Sequence, residues 1–336
     1  MNETPPLRLV VMGTGPFAVP LFRALCASRH VVAALVTQPP RENRGKPLTN
    51  PMRSAAEELG REVYAPDSVN VDEARRRLAS YEPDLFVVAD YGQILKPETL
   101  AVARLGGINL HGSLLPKYRG AAPINWALLH GDDETGVTVI QMSPRVDAGG
   151  CLLQARTPIG PDEDAVALER RLAESGAPLV VEAVERLSRG TLAPAAQDSA
   201  SATPARRLKK SDGEVDWTRS AQEIRNQVRG LKPWPRTSTE LRRDGAEPLR
   251  VLLEQVEIAD VSPPAAVPLA ANARGAASTA ASPGTIVAAA DDGISVATGD
   301  GVLIVRALQP AGKRLMSAGE FLRGHPAAPG SRFGSS

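Results

Sequence analysis

Apolar residues in the first half of this chain come in short continuous runs separated by polar or glycine-rich turns. Leu7 to Met12 is apolar apart from Arg8, and the turn Gly13-Thr14-Gly15-Pro16 follows. The spacing becomes helical from Phe17 to about Ser28, and Val31 to Val36 is again a continuous apolar run. Strand, helix and strand in that order predict a parallel, doubly wound α/β sheet. Asn50 can cap a helix whose first position is Pro51, and that helix is expected to stop near Gly60. A further helix is expected over about Val71 to Ser80, and a buried strand over Leu85 to Ala89, ending in Asp90-Tyr91-Gly92-Gln93. The run Ile108 to His111 reads as the next strand. A helix from Pro123 to His130 and a strand from Gly136 to Met142 come after it, then the turn Arg145 to Gly150. Two helical stretches, about Asp164 to Glu174 and Gly176 to Ser188, close a first domain spanning residues 1–193.

Beyond it the pattern changes. Residues 194–211 mix Pro, Ala, Ser and Thr with Arg206, Arg207, Lys209 and Lys210, the composition of a basic linker. In residues 212–336 a helix near Ser220 to Arg229 precedes the rigid Lys232-Pro233-Trp234-Pro235. Short alternating strands follow at Arg250–Ile258, Gly284–Ala288, Ile294–Thr298 and Gly301–Leu308, which predicts a small β-barrel. Residues 260–283 form an Ala/Pro/Ser-rich, low-complexity insert, expected as a surface loop.

Charge alters this picture only locally. The chain of 336 residues carries 39 Lys and Arg against 38 Asp and Glu, so no global field marks a nucleic-acid binder. From Arg206 to Arg250, however, twelve basic residues face seven acidic ones, a net of about +5 suited to a phosphate backbone. The two cysteines, Cys26 and Cys151, make neither a disulfide framework nor a metal signature. No secretory leader is recognisable at the start and no apolar run approaches a membrane span. A cytoplasmic monomer with no metal is the expectation.

Candidate chemistry concentrates in one strand. Asn109 and His111 are two apart, so both side chains point to the same face. An amide can donate to a developing oxyanion, and an imidazole can move a proton near neutral pH. Asp147, in a glycine-rich turn after a core strand, could converge on the same sheet edge and hold the imidazole. Such a set suits acyl transfer to an amine. No Ser or Cys lies in a nucleophile elbow, so direct attack by the amine fits better than an acyl-enzyme. The Gly13-Thr14-Gly15 turn lacks the third glycine and the acidic residue of a dinucleotide fingerprint. His30, His130 and His325 read as structural, and Trp217 and Trp234 as core.

The block Asn109 to Ile124, with Gly136-Val137-Thr138 and Asp147-Ala148-Gly149, resembles the 10-formyltetrahydrofolate-dependent formyltransferases. That resemblance implies a Rossmann-like catalytic fold followed by an OB-like barrel that binds tRNA. It implies that Asn109, His111 and Asp147 are catalytic. It implies that Ser113, Leu114, Leu115 and Pro116, with Asp90, Tyr91 and Gly92, contact the folate. Over nearly its whole length the chain is similar to the branch acting on methionine-charged initiator tRNA. The matching segments include Phe17-Ala18-Val19-Pro20, Asp216-Trp217, Pro233-Trp234-Pro235 and Leu308 to Arg314. The loop with Arg44 and Lys46 looks like the one that guides the acceptor end, and Arg206, Arg207, Lys209 and Lys210 would meet tRNA phosphates. Four departures stand out. Asp90 replaces the usual Ala before Tyr-Gly, Gly15-Pro16 replaces the more usual Pro-plus-polar pair, Gly150 stands where an acidic residue is common, and the Ala-rich insert is long. Other acceptors remain open: a nucleotide-linked amino sugar, or glycinamide ribonucleotide. So does a non-catalytic tRNA- or folate-binding module.

Overall fold

The computed structural model describes residues 5–40, 42, 43, 46–243, 245–259 and 281–334, with backbone alone at Asn43, Lys46 and Pro47. Arg44 and nearly all of the low-complexity insert lie outside the described residues. The chain divides into two compact units, one of Met1–Ala127 with Asp133–Arg207, the other of Leu128–Asp132 with Leu208–Ser336.

The first unit is built on a seven-stranded sheet. Its strands are β1 (Arg8–Met12), β2 (Val31–Val36), β3 (Val63–Tyr64), β4 (Leu85–Val88), β5 (Gly107–His111), β6 (Glu134–Gln141) and β7 (Cys151–Pro158). Their spatial order is β7-β6-β5-β4-β1-β2-β3. The first five run parallel. Strand β6 returns antiparallel beside β5, and β7 antiparallel beside β6. Val10, Val11, Met12, Leu85, Phe86 and Val87 are completely buried, as expected where both faces of a parallel sheet are covered. One face packs Leu78, Tyr81, Leu95 and Leu100 against Val10, Val36 and Phe86. Chain order reverses between β1 and β4, which opens a crevice at the carboxyl ends of the parallel strands.

The helix after Asn50 starts as its sequence requires: the Asn50 side chain accepts from the Arg53 backbone N–H at 3.0 Å, with Pro51 in the first turn. The region read as two helices is instead one helix, α1 (Ala165–Ser188), with Pro178 inside it. Gly176 is no break, because a Cβ there would come within 2.7 Å of Leu110. The missing side chain lets the helix lie close on β5. Burial of Leu168, Leu172, Val180 and Val184 then outweighs the roughly 3 kcal/mol that an internal proline costs.

The second unit is an antiparallel barrel. Its strands, in spatial order, are Ile286–Ala290, Gly293–Ala297, Val302–Pro310, Leu249–Ile258, Thr237–Arg242 and Arg332–Phe333. The backbones of Ile286 and Ser331 and of Gly284 and Phe333 bond across the gap and close it. Inside, Trp217 is 4% exposed, stacks on Phe333 with centroids 5.7 Å apart, and donates its indole N–H to Thr239. Trp234 departs from the core reading. It is 54% exposed, between the cis bonds to Pro233 and Pro235. Strands Cys151–Pro158 and Thr237–Arg242 and the helix Ala318–Gly324 were not foreseen from the pattern. No helix among the described residues is long and apolar enough to cross a membrane.

Candidate active site

Strand β5 places Asn109 and His111 on one face and Leu110 on the other, against α1. Asn109 pairs with Val88 of β4 and Ile140 of β6, so its position on the sheet is fixed from both sides. His111 is buried, and its Nε2 lies 2.8 Å from the Tyr118 carbonyl oxygen. A carbonyl only accepts, so Nε2 carries the hydrogen and the neutral ring keeps its lone pair on Nδ1. That lone pair faces the Asp147 carboxylate, with Nδ1 to Oδ2 3.6 Å. A proton taken up by the ring therefore lands on Nδ1, beside the carboxylate. Among the described residues no protein group takes the Asn109 side-chain amide, which is only partly buried.

Asp147 owes its aim to backbone constraints. Its φ is +49°, a left-handed conformation uncommon outside glycine that Asp and Asn adopt more readily than other residues. Its Oδ2 accepts from the Gly120 backbone N–H at 2.9 Å. Gly149 allows the turn to fold back, since a Cβ there would sit 1.7 Å from the Gln141 carbonyl oxygen. Asn109 and the His111–Asp147 pair thus lie together at the carboxyl end of β5.

The Ser113–Pro116 turn follows directly, with a cis bond between Leu115 and Pro116. Thr138 of β6, completely buried, holds it: its hydroxyl donates to Ser113 O at 2.7 Å and accepts from Leu115 N at 3.1 Å. Gln154 of β7 donates to both Leu115 O and the Thr138 hydroxyl. Ser113 Oγ donates to Lys117 O, closing the turn.

Asp90, Tyr91 and Gly92 line a different stretch of the same edge. With Thr14, Gly15, Gln38 and Asn50 they wall a cavity of about 350 Å³ at the ends of β1, β2 and β4. Gln38 Nε2 and Thr14 Oγ1 both donate to the Tyr91 carbonyl, tying the three loops together. Asp90, at φ +44°, lies against Gly15. It reaches solvent through the open cavity, yet surrounding protein pushes its carboxyl up to about 6, with the Gly15 backbone N–H opposing that shift. Burial and the charge of Asp90 push the Glu169 carboxyl upward as well.

Of the basic residues expected to bind phosphate, Arg207 lines the cavity and Arg206 stands over the Trp126 ring, 4.9 Å from its centroid. Lys209 and Lys210 are exposed in the second unit. Arg44 and the side chain of Lys46 lie outside the described residues. Among the described residues no group of His, Cys, Asp and Glu could hold a metal ion.

The segment of linker-like composition is ordered against the first unit as far as Arg207. Pro204–Ala205 pairs with Arg119–Gly120. Thr203 accepts from the N–H groups of both Tyr118 and Arg119. Gln197 bonds to Arg119 and to the Asp147 turn. Thr138 stands in the segment that carries the family resemblance but was given no role there, and Gln154 and Gln197 belong to no motif. Thr138 had a signal, a lone polar residue between buried valines, whereas Gln197 in a low-complexity stretch had none.

Two family models cover most of the chain. Formyl transferase matches residues 7–184, and Formyl transferase, C-terminal domain, matches residues 207–326. A methionyl-tRNA formyltransferase from Desulfotalea psychrophila is 43% identical over 325 residues, covering 96% of this chain and 94% of its own. The chain belongs to the methionyl-tRNA formyltransferase family. A second member, from Rhodopirellula baltica, is 41% identical, with 97% of this chain and 96% of its own covered. Solved structures similar in fold include HypX from Aquifex aeolicus in complex with tetrahydrofolic acid. Its TM-score is 0.61 at 18% identity, with 95% of this chain and 48% of that chain covered. An N-formyltransferase from Helicobacter canadensis, solved with folinic acid and dTDP-3-aminofucose, has a TM-score of 0.61 at 16% identity. The match covers 89% of this chain and 98% of that one. At these identities the likeness to the solved structures concerns the fold alone.

Proposed function

We propose that this chain transfers the formyl group of 10-formyltetrahydrofolate to the α-amine of methionine carried by initiator tRNA, in the cytoplasm. The carrying observation is the pair of buried His111 and largely covered Asp147 beside the open Asn109 amide at the sheet's carboxyl edge. Full-length relatives named for this activity support the choice of acceptor.

In this reading the α-amine attacks the formyl carbon. The amine is near its ordinary pKa, about 8, so a weak base suffices to free it. A C–N bond forms to the methionine nitrogen, and the Asn109 amide donates to the oxyanion of the tetrahedral intermediate. His111 accepts the amine proton on Nδ1, the nitrogen that Tyr118 leaves available. Asp147 stabilises the imidazolium at 3.6 Å. The bond to the folate N10 then breaks, N10 regains a proton by way of His111, and formylmethionyl-tRNA and tetrahydrofolate leave.

The Ser113–Pro116 turn and the wall of Asp90, Tyr91 and Gly92 flank Asn109 and are the proposed contacts for the folate. Thr138 and Gln154 keep that turn in shape. Arg206, Arg207, Lys209 and Lys210 are the proposed phosphate contacts, with Arg44 and Lys46 guiding the acceptor end. The test is formyl transfer from 10-formyltetrahydrofolate to methionine-charged initiator tRNA, with elongator tRNA and a nucleotide-linked amino sugar in parallel. Rapid formylation of the initiator alone is expected. Transfer only to the amino sugar would overturn the acceptor, and no transfer to any of the three would overturn the enzyme.

A further inference from the structure

Gln197 lies outside every motif that marks the site, yet its side chain meets two of the segments that shape it. Its Nε2 donates to the carbonyl oxygens of Asp147 at 2.8 Å and Gly149 at 2.6 Å. Its Oε1 accepts from Arg119 Nε at 3.0 Å and Nη2 at 2.7 Å. A primary amide has two N–H donors and an oxygen with two lone pairs, so all of its capacity is in use. The partners also fix its orientation, because a guanidinium only donates and a carbonyl only accepts.

The chain on either side holds this amide in place. Ala195 and Cys151 exchange backbone hydrogen bonds at 2.7 and 2.8 Å. The Asp198 side chain accepts from Ala200 N and starts a short 3₁₀ turn. The two groups that Gln197 joins are the two that aim Asp147. The first is the backbone of Asp147 itself, held in its left-handed conformation. The second is Arg119, adjacent in sequence to Gly120, whose N–H bonds the Asp147 carboxylate.

We propose that Gln197 is a positioning residue for the reaction, acting through Asp147 by locking the 147–149 turn to the 119–120 loop. It touches neither the reacting atoms nor His111. The inference rests on the assignment of Asp147 as the partner of His111.

The test is a double-mutant cycle in formylation. Gln197→Ala is expected to lower kcat at least tenfold, with KM for tRNA and for the folate donor within twofold of the parent. Gln197→Glu keeps an acceptor for Arg119 but loses both N–H donors, and is expected to fall as far. In an Asp147→Asn background, adding Gln197→Ala should cost less than twofold, since the charge being positioned is gone. Full additivity would show that Gln197 acts elsewhere and would overturn the proposal. Near-parental activity of Gln197→Glu would do the same, because tethering Arg119 would then suffice. Gln197→Met, close to isosteric, takes the place of the alanine variant should that one not fold. An inactive parent, or an unimpaired Asp147→Asn enzyme, would instead defeat the functional assignment. An active parent with an impaired Asp147→Asn and additive Gln197 variants would defeat this inference alone.

Discussion

Replacing Asp147 by Asn separates charge from geometry. The amide oxygen of Asn can still accept from Gly120 N, and Asn tolerates the left-handed φ of +49°. What disappears is a negative charge 3.6 Å from the nitrogen that becomes protonated. At an effective dielectric near 20, a unit charge pair at that separation is worth about 4.6 kcal/mol. The His111 and Asp147 side chains are 6% and 14% exposed, so water screens the pair only slightly. Each 1.36 kcal/mol of lost transition-state stabilisation is tenfold in rate, so kcat should fall by about 10³. Single-turnover formylation with saturating tRNA and donor reads this step directly. Ionic strength provides an internal control. Salt should weaken tRNA binding steeply, because phosphate contacts release counterions. It should leave the ratio of parental to Asp147→Asn rates nearly unchanged, because the pair is buried. A fall of less than tenfold in a folded protein would refute the charge-stabilisation argument, whatever happened to tRNA affinity.

Other outcomes follow from the same geometry. Asn109→Ala should lower kcat by about 10²–10³ through loss of one oxyanion donor, with tRNA affinity from filter binding unchanged. Thr138→Val leaves Leu115 N and Ser113 O without the Thr138 hydroxyl and removes one of the two bonds of Gln154 Nε2, at a cost of about 2 kcal/mol. Calorimetry should then show the melting temperature of that unit lower by about 4–8 °C. Asp90→Asn should raise Tm at pH 8 and lose that advantage as pH falls towards 4. The folded carboxyl is raised to about 6, so the folded state holds the proton more tightly than the unfolded chain. The penalty of the charged form therefore grows from about pH 4 to 6 and is fully present above that. A Tm gain that is equal at pH 4 and pH 8 would contradict this sign.

What could be read from the chain in advance depended on how local its cause was. Asn109 and His111 were legible as a pair because the two-residue repeat of a strand puts them on one face whatever the rest of the fold does. Strand β2 and the helix capped by Asn50 were legible for the same reason, through a continuous apolar run and an Asn-Pro start. The continuous helix Ala165–Ser188 was not, because Gly176 and Pro178 are both local breakers, and only Leu110 on another strand explains the glycine. Strand Cys151–Pro158 was hidden by its edge position, where Gln154, Arg156 and Thr157 dilute the apolar signal. Trp217 and Trp234 read alike as core, but only Trp217 is buried, and Trp234 is 54% exposed. The role of Gln197 depends on partners 48, 50 and 78 residues away, beyond what periodicity can report.

The two glycines beside Asp147 have a consequence for how this gene tolerates change. Any missense change at Gly149 adds at least a Cβ, which would meet the Gln141 carbonyl at 1.7 Å. At Gly120, with φ +126°, it would meet the Ala205 carbonyl at 2.5 Å. Neither residue contributes a side-chain atom to the reaction. Even so, a saturation-mutagenesis map scored by growth should show both codons depleted of every substitution, alanine included. Positions such as Glu57, whose charged side chain is 64% exposed, should accept many. Genetic intolerance here would report backbone clearance around the carboxylate rather than chemistry, and a variant-effect score would need that distinction to be read correctly.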